Sequence, residues 1–152
     1  MPETIQILKA GWNVLKTHDE RVMRSDYIGK LVMKLIQEKD YITALEVFRL
    51  EVEWYKKNDI DSLRISTYTL GSIVLALILQ DYVLADKMFY QVGMDVDKFF
   101  KSREADFSEK LLRAYKEYDW EEWEILLKSS KSSCVFPPIV SFSKNWFLNF
   151  FV

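Results

Sequence analysis

The chain has 152 residues, 49% hydrophobic, 29% charged and 15% aromatic, which suits one globular unit and argues against a disordered chain. Prolines occur only at 2, 137 and 138, so residues 3–136 have none where average usage would put roughly seven; with only four glycines as well, an all-β fold, which needs turn residues about every ten positions, is excluded. Twenty-one Lys+Arg against twenty-three Asp+Glu leave a net charge of −2, too even for a nucleic-acid partner.

The N-terminus, Met1-Pro2-Glu3-Thr4, lacks the basic and apolar regions of a signal peptide. The lone Cys134 and lone His18 permit neither an internal disulfide nor a zinc site of the usual Cys/His type. The expectation is a cytoplasmic protein.

Hydrophobic spacing predicts helices over 4–16 and 21–37, joined by a turn in which His18, beside Asp19 and Glu20, reads as a surface imidazole. A third helix, 41–57, opens a repeat. Asp40-Tyr41-Ile42-x-Ala44-x-x-x-Phe48 recurs forty-one residues later as Asp81-Tyr82-Val83-x-Ala85-x-x-x-Phe89. A degenerate copy, Asp119-Trp120-x-x-Trp123-x-x-x-Leu127, follows, and an incomplete echo lies at 19–25. Tyr41, Ala44, Leu45 and Phe48 share one helical face, where the small alanine admits a neighbouring helix and the aromatics fill the gap, as in tetratricopeptide repeats.

The fourth helix, 62–79, is preceded by capping side chains at 58–62, just as Lys39-Asp40 and Gln80-Asp81 precede the helices after them. Its stretch from Leu70 to Leu79 is the most apolar of the body, yet ten residues span only about 15 Å, too short for a bilayer. It should be the central buried helix, where Gly71 either admits close packing or is merely tolerated at about 1 kcal/mol. A fifth helix over 82–98 is expected to be interrupted or ended early by Gly93. Helices over 103–117 and 119–129 complete an all-α, right-handed solenoid of tetratricopeptide-like hairpins.

The acidic run Glu117, Asp119, Glu121, Glu122 and Glu124 follows no metal-ligand spacing and reads as a solvated helix start. After it the pattern breaks. Residues 134–152 hold twelve apolar side chains, five phenylalanines and one charge, Lys144. The chain therefore divides into a helical-repeat domain, 1–130, and an atypical apolar tail, 131–152. The tail is expected to stand apart from the repeat core; the alternatives are a cap on the last repeat and an aromatic contact with a membrane interface.

Catalytic chemistry finds nothing to hold. There is no glycine-rich phosphate loop and no metal or cofactor motif, and Cys134 lacks a local nucleophile signature. Trp12, Tyr55, Tyr68, Tyr90 and Tyr115 fall on helical positions and read as core or inter-repeat packing. What remains is surface recognition by a protein that is not an enzyme. Arg24, Arg64 and Arg103 precede the repeat aspartates Asp40, Asp81 and Asp119 by 16, 17 and 16 residues, so stacked repeats would align them in a ladder suited to an elongated acidic partner. The competing view is that they are ordinary solvated arginines.

Tyr27-Ile28-Gly29-Lys30, Lys39-Asp40-Tyr41-x-x-Ala44, Tyr55-Lys56-Lys57, Asp81-Tyr82-Val83-x-Ala85, Ser102-Arg103-Glu104 and Lys110-Leu111-Leu112-Arg113-Ala114-Tyr115 together carry a family resemblance. Over residues 10–128 the chain resembles the soluble NSF attachment protein (SNAP) family, gamma-SNAP most closely, and follows the carboxy-terminal half of that pattern. The resemblance implies an adaptor that wraps assembled SNARE bundles and presents them to the ATPase NSF, with peripheral association on endomembranes, in vesicle-mediated transport. It carries the family's SNARE-facing basic side chains onto Lys30, Arg64 and Arg103; a fourth family position falls on Asp26, a departure.

A full family member is much longer, so the chain reads as a truncated form without the membrane-attachment loop. The closing helices that engage NSF give way to the tail after Lys128, so the expectation is SNARE docking without stimulation of NSF. The alternative function is a general tetratricopeptide-like scaffold for another helical or peptide partner.

Overall fold

Helix formation in this chain is governed by how each helix is stopped and the next started, because nothing from residue 3 to 136 breaks helices by composition alone. The computed structural model describes residues 3–15, 21–58 and 62–128. Among these it contains seven α-helices: α1 Glu3–Leu15, α2 Arg21–Gln37, α3 Tyr41–Asn58, α4 Ser62–Ile78, α5 Tyr82–Asp95, α6 Arg103–Lys116 and α7 Trp120–Lys128. One 3-10 turn, Phe99–Lys101, lies between α5 and α6. No strand occurs among the described residues, and no helix there is long and apolar enough to cross a membrane. The tail, the connection at 16–20 and most of the capping run at 58–62 fall outside the described residues.

Three hairpins, α2–α3, α4–α5 and α6–α7, are built on one turn. Lys39, Gln80 and Tyr118 adopt left-handed backbone, with φ of 61°, 62° and 54°. The amide of each donates to the carbonyl three residues back, Ile36, Leu77 and Tyr115. The following aspartate amides donate five residues back, to Leu35, Ala76 and Ala114. This satisfies carbonyls that a helix end leaves open. The same aspartates then start the next helix. Asp40, Asp81 and Asp119 accept from the amides of Thr43, Leu84 and Glu122 at 3.2, 3.0 and 3.1 Å. One helix is closed and its antiparallel successor opened within three residues, so the repeat aspartate is a cap first.

The helices pack in chain order, each on the next, and α4 also packs on α6. Behind the turn, Ala44 and Ala85 are fully buried and let helices approach, while Phe48 and Phe89 fill the space beside them. In the degenerate copy the alanine position holds Trp123, also fully buried, against Tyr115 and Trp120 at ring separations of 5.9 and 6.3 Å. The central helix is α4, where residues 65–78 are all buried except Thr67, which is partly so.

Gly71 is there for close packing. A Cβ at that position would lie 2.9 Å from the Phe48 ring, which is itself stacked on Tyr68 at 5.5 Å. Gly93 does not interrupt α5, and its φ is not positive; the helix ends early, as expected, but at Asp95, two residues further on, where Val96 turns extended. The space a side chain would take at Gly93 holds the Phe100 ring, so this glycine too serves packing.

At the other end, the Trp12 indole N–H of α1 donates to the fully buried Glu51 carboxylate of α3 at 3.0 Å. Trp12, Tyr55 and Tyr68 are buried and Tyr115 stacks on Tyr82, as expected of packing aromatics. Tyr90 is the exception, 55% exposed.

Two stability changes follow. Gly71→Ala should lower the melting temperature by about 3 °C, because overpacking against a fixed ring costs about 1–3 kcal/mol and outweighs alanine's helix preference. An unchanged or higher value in thermal unfolding would show that Phe48 gives way freely. Gln80→Gly should raise the melting temperature, since glycine removes a left-handed penalty of about 1–2 kcal/mol at a smaller entropic cost. Asp81→Ala should cost about 1 kcal/mol of stability through loss of the cap, read as a lower melting temperature.

Candidate functional site

Alternation of antiparallel helices makes α2, α4 and α6 the first members of the three hairpins, and each carries an arginine in its first turn. Arg24 is the fourth residue of α2, Arg64 the third of α4 and Arg103 the first of α6. Because α5 returns the chain between them, α4 and α6 run in the same direction in direct contact, which sets the backbones of Arg64 and Arg103 at the same end of the stack. Both side chains are exposed. The α2 backbone puts Arg24 at the matching position, but its side chain lies outside the described residues.

Lys30 is exposed as well, but it occupies a different row, six residues and about 9 Å further along α2. Counting back ten positions from each repeat aspartate, its counterparts are Gly71, buried under Phe48, and Glu109, exposed and paired with Arg113 at 3.6 Å. The repeats therefore align Arg24, Arg64 and Arg103 but do not multiply Lys30. Further along α6, Lys110 pairs with Asp106 at 3.2 Å in a half-exposed helix pair of small energetic weight. In α7, Asp119 is taken up as the cap, and Glu121 and Glu122 sit in the first turn, where the helix dipole favours them.

A second surface feature corresponds to no sequence motif. The second members of adjacent hairpins, α3 and α5, flank a groove of about 430 Å³ floored by α4. Ile42, Leu45, Leu84, Met88 and Val92 give it an apolar lining, and the fully buried Thr69 on its floor has a hydroxyl with no hydrogen-bond partner. Lys56 of α3 also lines the groove and spans it, bonding Asp95 of α5 at 2.6 Å and Glu53 at 3.2 Å. Burial lowers the Lys56 ammonium, but the hydrogen bonds to Asp95 and Glu53 outweigh it and hold its pKa above the ordinary value. Hydrogen bonds from Lys56 and Gln91 hold the Asp95 carboxyl below its ordinary value.

The repeat does mark an exposed apolar position on both helices, at the groove on α3 and outside its lining on α5. Ile42 and Val83 recur at the third repeat position although helical spacing turns them away from Ala44, Leu45 and Phe48, and they are 71% and 77% exposed. An apolar residue repeated on the solvent side of its helix is a surface feature, not a core one.

Capped antiparallel hairpins, a basic row across first helices and a groove between second helices define an all-α repeat protein of the kind that holds partners. Among the described residues no group of His, Cys, Asp and Glu gathers as a metal site. The family model that matches is Soluble NSF attachment protein, SNAP, over residues 5–129, and the chain belongs to the SNAP family. No curated protein matches it. Membership makes it one of an adaptor family tied to SNAREs and NSF, not one of a family of enzymes.

The Lys56–Asp95 pair should be pH-dependent with a definite sign. Asp95 has a lowered pKa, so its contribution is present above the ordinary carboxylate range, near about 3.9, and is lost as pH falls through the lowered value. The raised Lys56 contributes below the ordinary ammonium value and is lost only as pH rises past its own. Asp95→Asn should therefore lower the melting temperature by a constant margin between about pH 6 and 9, closing in acid below the ordinary carboxylate range and in about 1 M salt. A margin that persists in acid would assign the effect to packing instead of charge.

Proposed function

We propose that the chain is an adaptor of the gamma-SNAP type that docks on assembled SNARE four-helix bundles, in vesicle-mediated transport, through exposed basic side chains on the first helix of each hairpin. Family membership carries this proposal. The common first-turn position of Arg64 and Arg103 on adjoining parallel helices supports it, because a repeating positive row fits an elongated acidic bundle. Arg24 extends the row by one hairpin and Lys30 adds a charge beside it. NSF is the partner of the loaded bundle, which the ATPase takes apart while the adaptor itself does no chemistry.

The repeat domain, 1–130, is the docking unit in this proposal, and the tail, 131–152, has no part in it. Deleting 134–152 should leave both SNARE affinity and melting temperature in place, whereas a fall of more than about 5 °C would make the tail a cap on the last repeat.

Arg64→Glu combined with Arg103→Glu should weaken binding to the assembled bundle by about 1 kcal/mol per reversal, with helicity by circular dichroism unchanged. The unaltered protein's affinity should fall as salt is raised. An affinity at low ionic strength equal to that of the unaltered chain would leave the arginines as solvated surface. Addition of NSF to the same complex reads whether the docked adaptor supports disassembly.

A further inference from the structure

The solvent side of α5 is apolar where that of α3 is charged. Along α3 the equivalent positions are Ile42, Glu46, Arg49 and Glu53, all exposed, so the charge begins one turn in. Along α5 they are Val83, Lys87, Tyr90 and Met94, at spacings of four, three and four, which set them in one stripe about 16 Å long. Val83, Tyr90 and Met94 are 77%, 55% and 78% exposed. Phe100 lengthens the stripe from the 3-10 turn. Its ring lies in the space left by Gly93 and meets Tyr90 at 6.3 Å, half exposed, while its neighbour Phe99 is buried in the core against Phe89.

Phe99 thus anchors the turn, and Gly93 lets Phe100 lie on α5 beside Tyr90. The result is a convex apolar ridge with nothing packed over it among the described residues.

Charge around the ridge distinguishes its occupant. Lys98 and Lys101 bracket the two phenylalanines, Lys87 lies within the stripe, and Arg103 follows at the start of α6; all four are exposed. None is held in an ion pair among the described residues. Over the same span Asp95 is tied to Lys56 and Glu104 is buried, which leaves Asp81, Asp86 and Asp97 as carboxylates against four cations.

A convex row of Tyr, Met and Phe has no concavity to receive a partner's side chains. It can bury its rings in an interface that yields to it, where the tyrosine hydroxyl stays at the polar boundary and the lysine stems lie along the apolar layer with their ammonium groups in water. We propose that the α5 ridge is a peripheral contact for an anionic lipid surface, with Val83, Tyr90, Met94 and Phe100 entering the interface and Lys87, Lys98 and Lys101 meeting lipid headgroups. This surface borders the arginine row at Arg103 but does not include Arg64, and it does not require that row to bind SNAREs.

The test uses the full chain with its single cysteine removed by Cys134→Ser and a polarity-sensitive fluorophore attached through Met94→Cys. Phosphatidylcholine vesicles containing phosphatidylserine should shift its emission to the blue, and phosphatidylcholine alone should not. The same label placed on α3 through Glu46→Cys should not respond. Lys98→Glu with Lys101→Glu should reduce vesicle partitioning by about thirtyfold or more. Vesicle binding without a response at position 94 would place the contact elsewhere on the chain and overturn the proposal. So would an equal response to both vesicle types, or a lipid-free shift that grows with protein concentration, which would make the ridge a contact between two copies.

Discussion

The structure depends on a turn that closes one helix and opens the next without slack. A left-handed residue followed directly by a capping aspartate satisfies the last carbonyls of the first helix and the first amides of the second. The turn uses lysine, glutamine and tyrosine in a conformation that glycine would adopt more easily, at about 1–2 kcal/mol each. Two backbone hydrogen bonds and one cap, repeated at all three hairpins, hold it. Because the turn is so short, successive helices must lie antiparallel and in contact. Alternate helices then run in the same direction. The arginines of first helices come to one end, and the space between second helices becomes a groove.

Much of this was legible in the sequence, and the reason is the near-absence of competing signals. With no proline and little glycine in the body, aspartate caps and apolar spacing alone locate the helices, and observed ends fall within about three residues of those predicted. The repeat also identified the packing face correctly at Ala44, Leu45 and Phe48. The left-handed residues were hidden, because Lys39, Gln80 and Tyr118 have no preference for that backbone and mark no turn by type. Glycine misled for the opposite reason. Gly93 suggests a break by its backbone freedom, yet its use is spatial, and only the position of Phe100 reveals that.

The candidate surfaces divide along the same line. Register arithmetic suffices to bring Arg64 and Arg103 to the same helix ends, since offsets of 17 and 16 from equivalent caps give heights within one residue of each other on parallel helices. It also exposes Lys30 as a single position, because the matching sites hold a buried glycine and a glutamate. The groove between α3 and α5, and the Lys56–Asp95 link across it, arise from helices separated by a whole helix in sequence. Spacing within one helix contains no information about that. Tyr90 reads as core by type and helical position; only the side of α5 it occupies makes it surface.

In the docking proposed above, the SNARE bundle is held by the first helices of the hairpins. Amide hydrogen exchange of the chain, free and bound to an assembled SNARE bundle, tests it most directly. The amides of a helix's first turn have no intrahelical acceptor and exchange readily in the free protein, so a docked partner registers there with high contrast. Slowed exchange confined to the first turns of α4 and α6, around residues 62–66 and 103–107, is the predicted result. Protection along α3 and α5 with those turns unchanged would contradict it and move the partner to the groove.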